Sequence, residues 1–177
     1  IFYEITLALL RIIFRYIFVN KTHIFIINIV GDYFFIIGVN MCGIIGYIGK
    51  NVEENLFEGL KRLEYRGYDS AGMTVMRNGN FDTYKSVGEV DNLKAKLKFN
   101  EEFGYGIAHT RWATHGKITI ENCHPHFSSN GNIAIVHNGI IDNFEDLKIQ
   151  LQAKDKCFVS QTDSEVVAKL LDKLNIN

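Results

Sequence analysis

Apolar and polar positions follow two rhythms along this chain, one of period two and one near three and a half. Cys42–Ile48 is an apolar run bracketed by glycines, which predicts a buried strand. Glu53–Tyr65 sets Leu56, Phe57, Leu60 and Leu63 at helical spacing with charges between them, which predicts an amphipathic helix. Gly72–Arg77 and Phe81–Val87 flank Asn78-Gly79, the strongest short hairpin signal in the chain. Asp91–Phe99 reads as a short amphipathic helix, and Tyr105–Thr110 and Asn132–His137 as strands. Asn143–Gln152 reads as a helix with Phe144, Leu147 and Leu151 on one face. Thr162-Asp163-Ser164-Glu165 matches a capping box ahead of the helical spacing of Val166, Leu170 and Leu174. No repeat, low-complexity tract or linker interrupts the pattern. Short strands mixed with helices on one core predict an α+β layered domain. The pattern stops in or just after a helix with no closing strand, so the domain reads as truncated at its C-terminal side.

Residues 1–40 do not share this rhythm. They are dominated by Ile and Phe, with only Glu4, Arg11, Arg15, Lys21 and Asp32 carrying full charge. The apolar runs Ile5–Val19 and Ile24–Val39 are both interrupted, and neither is a clean stretch of ~20 apolar residues. A membrane anchor or hairpin is one reading of them. A transit peptide fits worse, because Ser is absent and Arg sparse. The favoured reading is sequence upstream of the true start, with the Ile/Phe/Tyr/Asn bias of A/T-rich DNA read in frame. Residues 1–40 are therefore expected to lie outside the fold, and a membrane association is not expected.

Charge and cysteine content narrow the class. The formal net charge is −1, with no basic excess that would suit nucleic acid. Cys42, Cys123 and Cys157 cannot all pair, and an odd count in a charged chain favours reduced thiols and a cytoplasmic setting.

The first methionine is Met41, and a chain begun there and trimmed of it would start at Cys42. One residue would then carry a thiol, titrating near ~8.5, and an α-amine near ~7.7–8.0. That pairing is a self-contained nucleophile and base. Four further segments interrupt the elements where predicted strands end: Tyr65–Gly72, His109–Gly116, His124-Pro125-His126 and His137–Asn143. Cys123 with His124 and His126 could suggest zinc, but a full set would need recruits from His109, His115 or Cys157. No metal and no external cofactor is assigned.

Cys42-Gly43-Ile44 at the expected start resembles the class II glutamine amidotransferases, within the N-terminal nucleophile hydrolases. Glu64-Tyr65-Arg66-Gly67-Tyr68-Asp69-Ser70-Ala71-Gly72 and His109-Thr110-Arg111-Trp112-Ala113-Thr114-His115-Gly116 are similar to the glutamine–fructose-6-phosphate aminotransferase branch of that family. The resemblance covers 41–177 and none of 1–40. It implies a four-layer αββα sandwich, here incomplete, that hydrolyses glutamine through a γ-glutamyl thioester on Cys42.

The resemblance also implies roles for the remaining residues. Asn138 and Gly139 form the oxyanion hole, although Asn-Gly is also a common turn. Arg111 takes the α-carboxylate of glutamine, a group its forked donors suit. Thr114 and His115 make further contacts with glutamine, and Asp163 pairs with its α-ammonium. Trp112 resembles a lid over the site. Arg66 and Asp69 read as scaffolding near the nucleophile, as an ion pair. Cys123 stands where the family has a small residue, and Lys117-Ile118-Thr119-Ile120 stands where relatives more often carry a proline. Ammonia would pass to sugar-isomerase domains beyond Asn177 and aminate fructose 6-phosphate, in a homo-oligomer assembled through those domains. Three other readings remain: another class II amidotransferase, a membrane-anchored non-catalytic domain, or a metal-binding module built on the cysteines and histidines.

Overall fold

The computed structural model describes residues 23–29, 32–38, 42–113, 116–153 and 157–171. Its strands are β1 (His23–Ile29), β2 (Asp32–Gly38), β3 (Gly43–Gly49), β4 (Ser70–Arg77), β5 (Asn80–Val87) and β6 (Gly104–Arg111), followed by the short β7 (His126–Phe127) and β8 (Ala134–Ile135). The helices are α1 (Val52–Leu63), the single turn α2 (Asp91–Lys94), α3 (Phe144–Gln152) and α4 (Ser164–Leu171). A 3₁₀ turn, Glu64–Arg66, extends α1.

The first six strands form one sheet in the order β1-β2-β3-β6-β4-β5, and every neighbouring pair is antiparallel. α1 lies across the middle of the sheet, against β3, β6 and β4. Its stripe of Leu56 and Leu60 meets Ile45, Met73, Val75 and Ala108, all fully buried. Burying each leucine stabilises the domain by roughly 1.5–3 kcal/mol. Because side chains alternate across a strand, the residues between these face the opposite side of the sheet. There the chain continues into the two-stranded β7–β8 sheet, with α4 against β7 and α3 against α4. Helix, sheet, sheet and helices follow one another as in an αββα sandwich, with a second sheet only two strands wide.

Ion contacts fasten the helical layer. Arg77 grips Glu53 with both guanidinium nitrogens, Nη1 reaching Oε1 at 2.6 Å and Nη2 reaching Oε2, and both residues are buried. Glu64 accepts Lys61 Nζ at 2.7 Å and the Val90 N–H at 2.6 Å, tying the end of α1 to the start of α2.

The hairpin forms as expected. Asn78 and Gly79 both have positive φ, 48° and 80°, the requirement of a two-residue turn that matches strand twist. Other elements differ. The helix expected over Asp91–Phe99 stops at Lys94, because only Leu93 is deeply buried and the chain beyond it is exposed. The strand expected over Asn132–His137 is reduced to Ala134–Ile135. The capping box does not form. Glu165 instead accepts the Val159 and Ser160 N–H groups at 3.1 and 2.7 Å and the Ser160 hydroxyl at 2.6 Å. Leu174 lies outside the described residues.

Residues 1–40, expected outside the fold, contribute β1 and β2. β2 pairs along β3 from Tyr33↔Ile48 to Gly38↔Gly43. The Ile- and Phe-rich composition that set this stretch apart also favours strands, and the free edge of β3 offers unpaired backbone groups to it. Among the described residues, no helix is long and apolar enough to cross a membrane.

Candidate active site

Cys42 immediately precedes β3. Its backbone nitrogen donates to Arg66 O at 3.0 Å, so the 3₁₀ turn after α1 fixes where that nitrogen points. Its sulfur accepts the Trp112 backbone N–H at 3.0 Å. Burial raises the thiol pKa, and the Trp112 N–H and the Arg111 charge oppose that rise. Cys42 has φ 65°, the left-handed region that L-residues with a side chain adopt at a cost of roughly 1–2 kcal/mol.

Asn138 and Gly139 follow β8. Asn138 Nδ2 donates to Cys42 O at 3.4 Å, and Oδ1 lies 2.7 Å from His109 Nε2. Gly139 has φ 147°, and a Cβ there would meet His137 Nε2 at 2.9 Å. Glycine therefore fits a backbone that other residues would strain. The His137 ring is held from the other side, its Nδ1 3.0 Å from Ser164 Oγ at the start of α4.

Arg111 ends β6 and is buried, with Nη1 donating to Lys117 O at 3.2 Å. The Lys117 segment is pinned by Asn122. Asn122 Nδ2 donates to Lys117 O at 2.8 Å, and Oδ1 accepts the Gln161 N–H at 2.8 Å. Trp112 is partly exposed, and its ring meets Tyr68 edge-on at 5.3 Å. Asp163 Oδ2 accepts the Ile141 N–H at 2.8 Å, and Oδ1 accepts the Ser164 hydroxyl at 3.3 Å. It therefore braces the loop that carries Asn138 and Gly139.

The structure thus gathers Cys42, Trp112 and Asn138 in direct contact, with Arg111 close enough to act on the thiol by its charge. Asp163 reaches the group through the Ile141 backbone and through Ser164, which holds His137. Thr114 and His115 lie outside the described residues. Asp69, read as scaffolding, accepts the Ala113 N–H at 2.7 Å and donates its own N–H to Arg111 O at 3.2 Å, so it shapes the turn after β6. Arg66 donates to Tyr65 Oη at 2.8 Å and stacks over that ring.

His109 was not given a role by its sequence position. The available signal was its place two residues before Arg111, on the same face of a strand. Cys123 is buried, its sulfur donating to Thr119 O at 3.3 Å. Among the described residues no group of three His, Cys, Asp or Glu converges as a metal cage.

Residues 95–175 match the glutamine amidotransferase domain family. The chain is 53% identical over 136 residues to glutamine–fructose-6-phosphate aminotransferase (isomerizing) of Helicobacter pylori, covering 75% of this chain and 22% of that protein. It is 53% identical over 135 residues to the enzyme of the same name from Zymomonas mobilis, with the same coverage. It is 51% identical over 135 residues to that from Pyrococcus horikoshii, covering 75% of this chain and 23% of that protein. The chain thus spans under a quarter of the length of these curated relatives. Among solved structures, the glutamine phosphoribosylpyrophosphate amidotransferase of B. subtilis, complexed with ADP and GMP, aligns with a TM-score of 0.61 and 28% identity over 73% of this chain and 29% of that one. The structure of an allosteric regulatory enzyme of purine biosynthesis aligns with a TM-score of 0.62 and 28% identity, at the same coverage. Residues 95–175 thus form a glutamine amidotransferase domain, and over three quarters of its length the chain is similar to glutamine–fructose-6-phosphate aminotransferases.

Proposed function

We propose that this domain is a glutaminase whose nucleophile is Cys42 with a free α-amine. The observation that carries this reading is the convergence of the Trp112 N–H and the Asn138 amide on Cys42. The thiol gives its proton to the amine, and the thiolate attacks the side-chain carbonyl carbon of glutamine. The carbonyl electrons move onto oxygen, where the Asn138 amide and the Gly139 N–H receive the developing charge. The C–N bond then breaks, the amine returns its proton to the leaving nitrogen, and ammonia departs from a γ-glutamyl thioester. Water attacks that thioester, releasing glutamate and restoring the thiol.

The φ of Cys42 supports a working chain that starts there. A first residue has no φ, so the left-handed strain at Cys42 exists only while a residue is attached before it. The Arg66 carbonyl, 3.0 Å from that nitrogen, would orient the free amine beside the sulfur. Arg111 would bind the α-carboxylate of glutamine, Asp163 the α-ammonium, Thr114 and His115 further polar groups, and Trp112 would cover the site.

The similarity to glutamine–fructose-6-phosphate aminotransferases points to fructose 6-phosphate as ammonia acceptor, on further domains of a longer protein that form a homo-oligomer. Three free thiols suit a reducing, cytoplasmic setting. The test is glutamate release and amino-sugar phosphate synthesis by the full-length protein beginning at Cys42. Cys42→Ala is expected to abolish glutamine-dependent turnover while ammonia-dependent synthesis survives. Loss of both activities would make Cys42 structural. Glutamate release without use of fructose 6-phosphate would favour another class II amidotransferase.

A further inference from the structure

His109 has no part in the chemistry above, yet it is buried and in contact with Asn138. It sits on β6 opposite Ile44 of β3 and Gly72 of β4, on the face of the sheet away from α1. Its Nε2 lies 2.7 Å from Asn138 Oδ1. An amide oxygen only accepts, so this nitrogen carries the proton and donates. The other end of the same amide donates to Cys42 O at 3.4 Å. Turning the amide over would press its oxygen against that carbonyl oxygen, two acceptors with no proton between them. The Cys42 carbonyl therefore favours one orientation, with Nδ2 toward Cys42, and His109 holds it by donating to Oδ1.

The ring that holds this orientation is itself immobilised. The His124 ring packs on His109 at 4.2 Å between centroids, and His126 packs on His124 at 4.5 Å. His126 Nε2 is 2.9 Å from Thr162 Oγ1. The stack can approach the sheet because position 72 is glycine, where a Cβ would stand 2.0 Å from His124 O. Among the described residues Nδ1 of His109 has no hydrogen-bond partner, and the contact with Asn138 is the polar interaction that orients the ring.

We infer that His109 is a positioning residue for the oxyanion site, holding the Asn138 amide so that its N–H rather than its oxygen faces the reacting carbonyl. This rests on the glutaminase reading of Cys42 and Asn138. His109 touches no reacting atom and acts through Asn138.

The test uses the full-length protein beginning at Cys42, with His109→Leu, His109→Gln, Asn138→Ala and the double variant His109→Leu/Asn138→Ala. Turnover of glutamine is measured beside inhibition by glutamate γ-semialdehyde. The Cys42 sulfur adds to the aldehyde carbon of that probe, the carbonyl electrons move to oxygen, the thiol proton passes to the α-amine, and nothing leaves. The adduct therefore reads the oxyanion site directly. His109→Leu is expected to lower kcat roughly 10²-fold with KM for glutamine within about threefold. Binding of the aldehyde should weaken by the same factor, while inhibition by glutamate stays unchanged. His109→Gln, whose amide N–H can reach Asn138, should recover at least about tenfold of the loss. The double variant should be no slower than Asn138→Ala alone. If His109→Leu does not fold, His109→Asn, too short to reach Asn138, replaces it with the same expectations. A kcat within about twofold of wild type, losses that multiply in the double variant, or a Gln variant no better than Leu or Asn overturns the inference. A wild-type protein that releases no glutamate overturns the function reading and this inference together, a result distinct from an active wild type indifferent to His109.

Discussion

The backbone N–H of Trp112 points at the sulfur of Cys42 from 3.0 Å, across 70 residues of sequence. The contact joins the start of β3 to the end of β6, which pair from Gly43↔Thr110 onward. Antiparallel register therefore brings Cys42 to the residue that follows Arg111. The turn that presents this N–H is set by Asp69, which takes the Ala113 N–H and donates to Arg111 O.

Arg111 should govern substrate affinity more than rate. Replacing it with lysine keeps the charge and loses the two-pronged geometry. We expect Arg111→Lys to raise KM for glutamine roughly 10- to 100-fold, with kcat changed by less than about threefold. Steady-state kinetics checks this, and a fall in kcat with KM unmoved would place Arg111 outside the carboxylate site.

The Glu53–Arg77 pair should be a stability determinant remote from chemistry. Removing one partner leaves the other charge buried without compensation, a loss of about 3–5 kcal/mol. Urea denaturation of Glu53→Gln should show that loss. A change below about 1 kcal/mol would mean that water reaches Arg77 once the partner is gone.

The histidine stack should make the fold sensitive to mild acid. Burial lowers His109 to about 4 and His126 to about 3, and burial moves His124 in the same direction. The cations Arg111, Lys85 and Lys169 and the neighbouring histidines reinforce the shift. Asn138 alone pushes His109 upward. The unfolded chain binds protons near 6.5, so unfolding takes up protons below that pH and stability falls as pH falls. Each of His109 and His126 contributes about 1.4 kcal/mol per pH unit, or about 2 kcal/mol between pH 6.5 and 5. The loss continues to about pH 4 for His109 and about pH 3 for His126. Denaturation midpoints at pH 7.5 and 5.0 check this, and equal midpoints would show that the rings are solvated.

What the sequence made legible follows from which interactions are local. The Asn78-Gly79 turn and the α1 stripe are written in adjacent residues, and both formed where the pattern placed them. Cys42, Asn138 and Arg111 could be named because their segments resemble a family, and the fold sets Asn138 against Cys42 and the Arg111 charge within reach of its thiol. The end of α2 was not visible, because Leu93 finds a core while Leu97 is only partly buried. The false capping box had the right letters, but Glu165 was drawn to three donors from Val159 and Ser160. β1 and β2 were not legible, because an Ile- and Phe-rich run does not separate strand from helix by periodicity. The role of His109 depends on His124, Gly72 and Asn138, which meet only once β6 is paired and the loops are laid over it.

The account turns on the Cys42 nitrogen. Two forms of the full-length protein, one beginning at Cys42 and one retaining Met41 ahead of it, should be verified by mass and compared for glutamine hydrolysis at equal folding. Retention of Met41 is expected to lower kcat at least roughly 10²-fold, the contribution of a positioned general base, while KM for glutamine stays within about threefold. Equal turnover by the two forms would contradict the proposed mechanism.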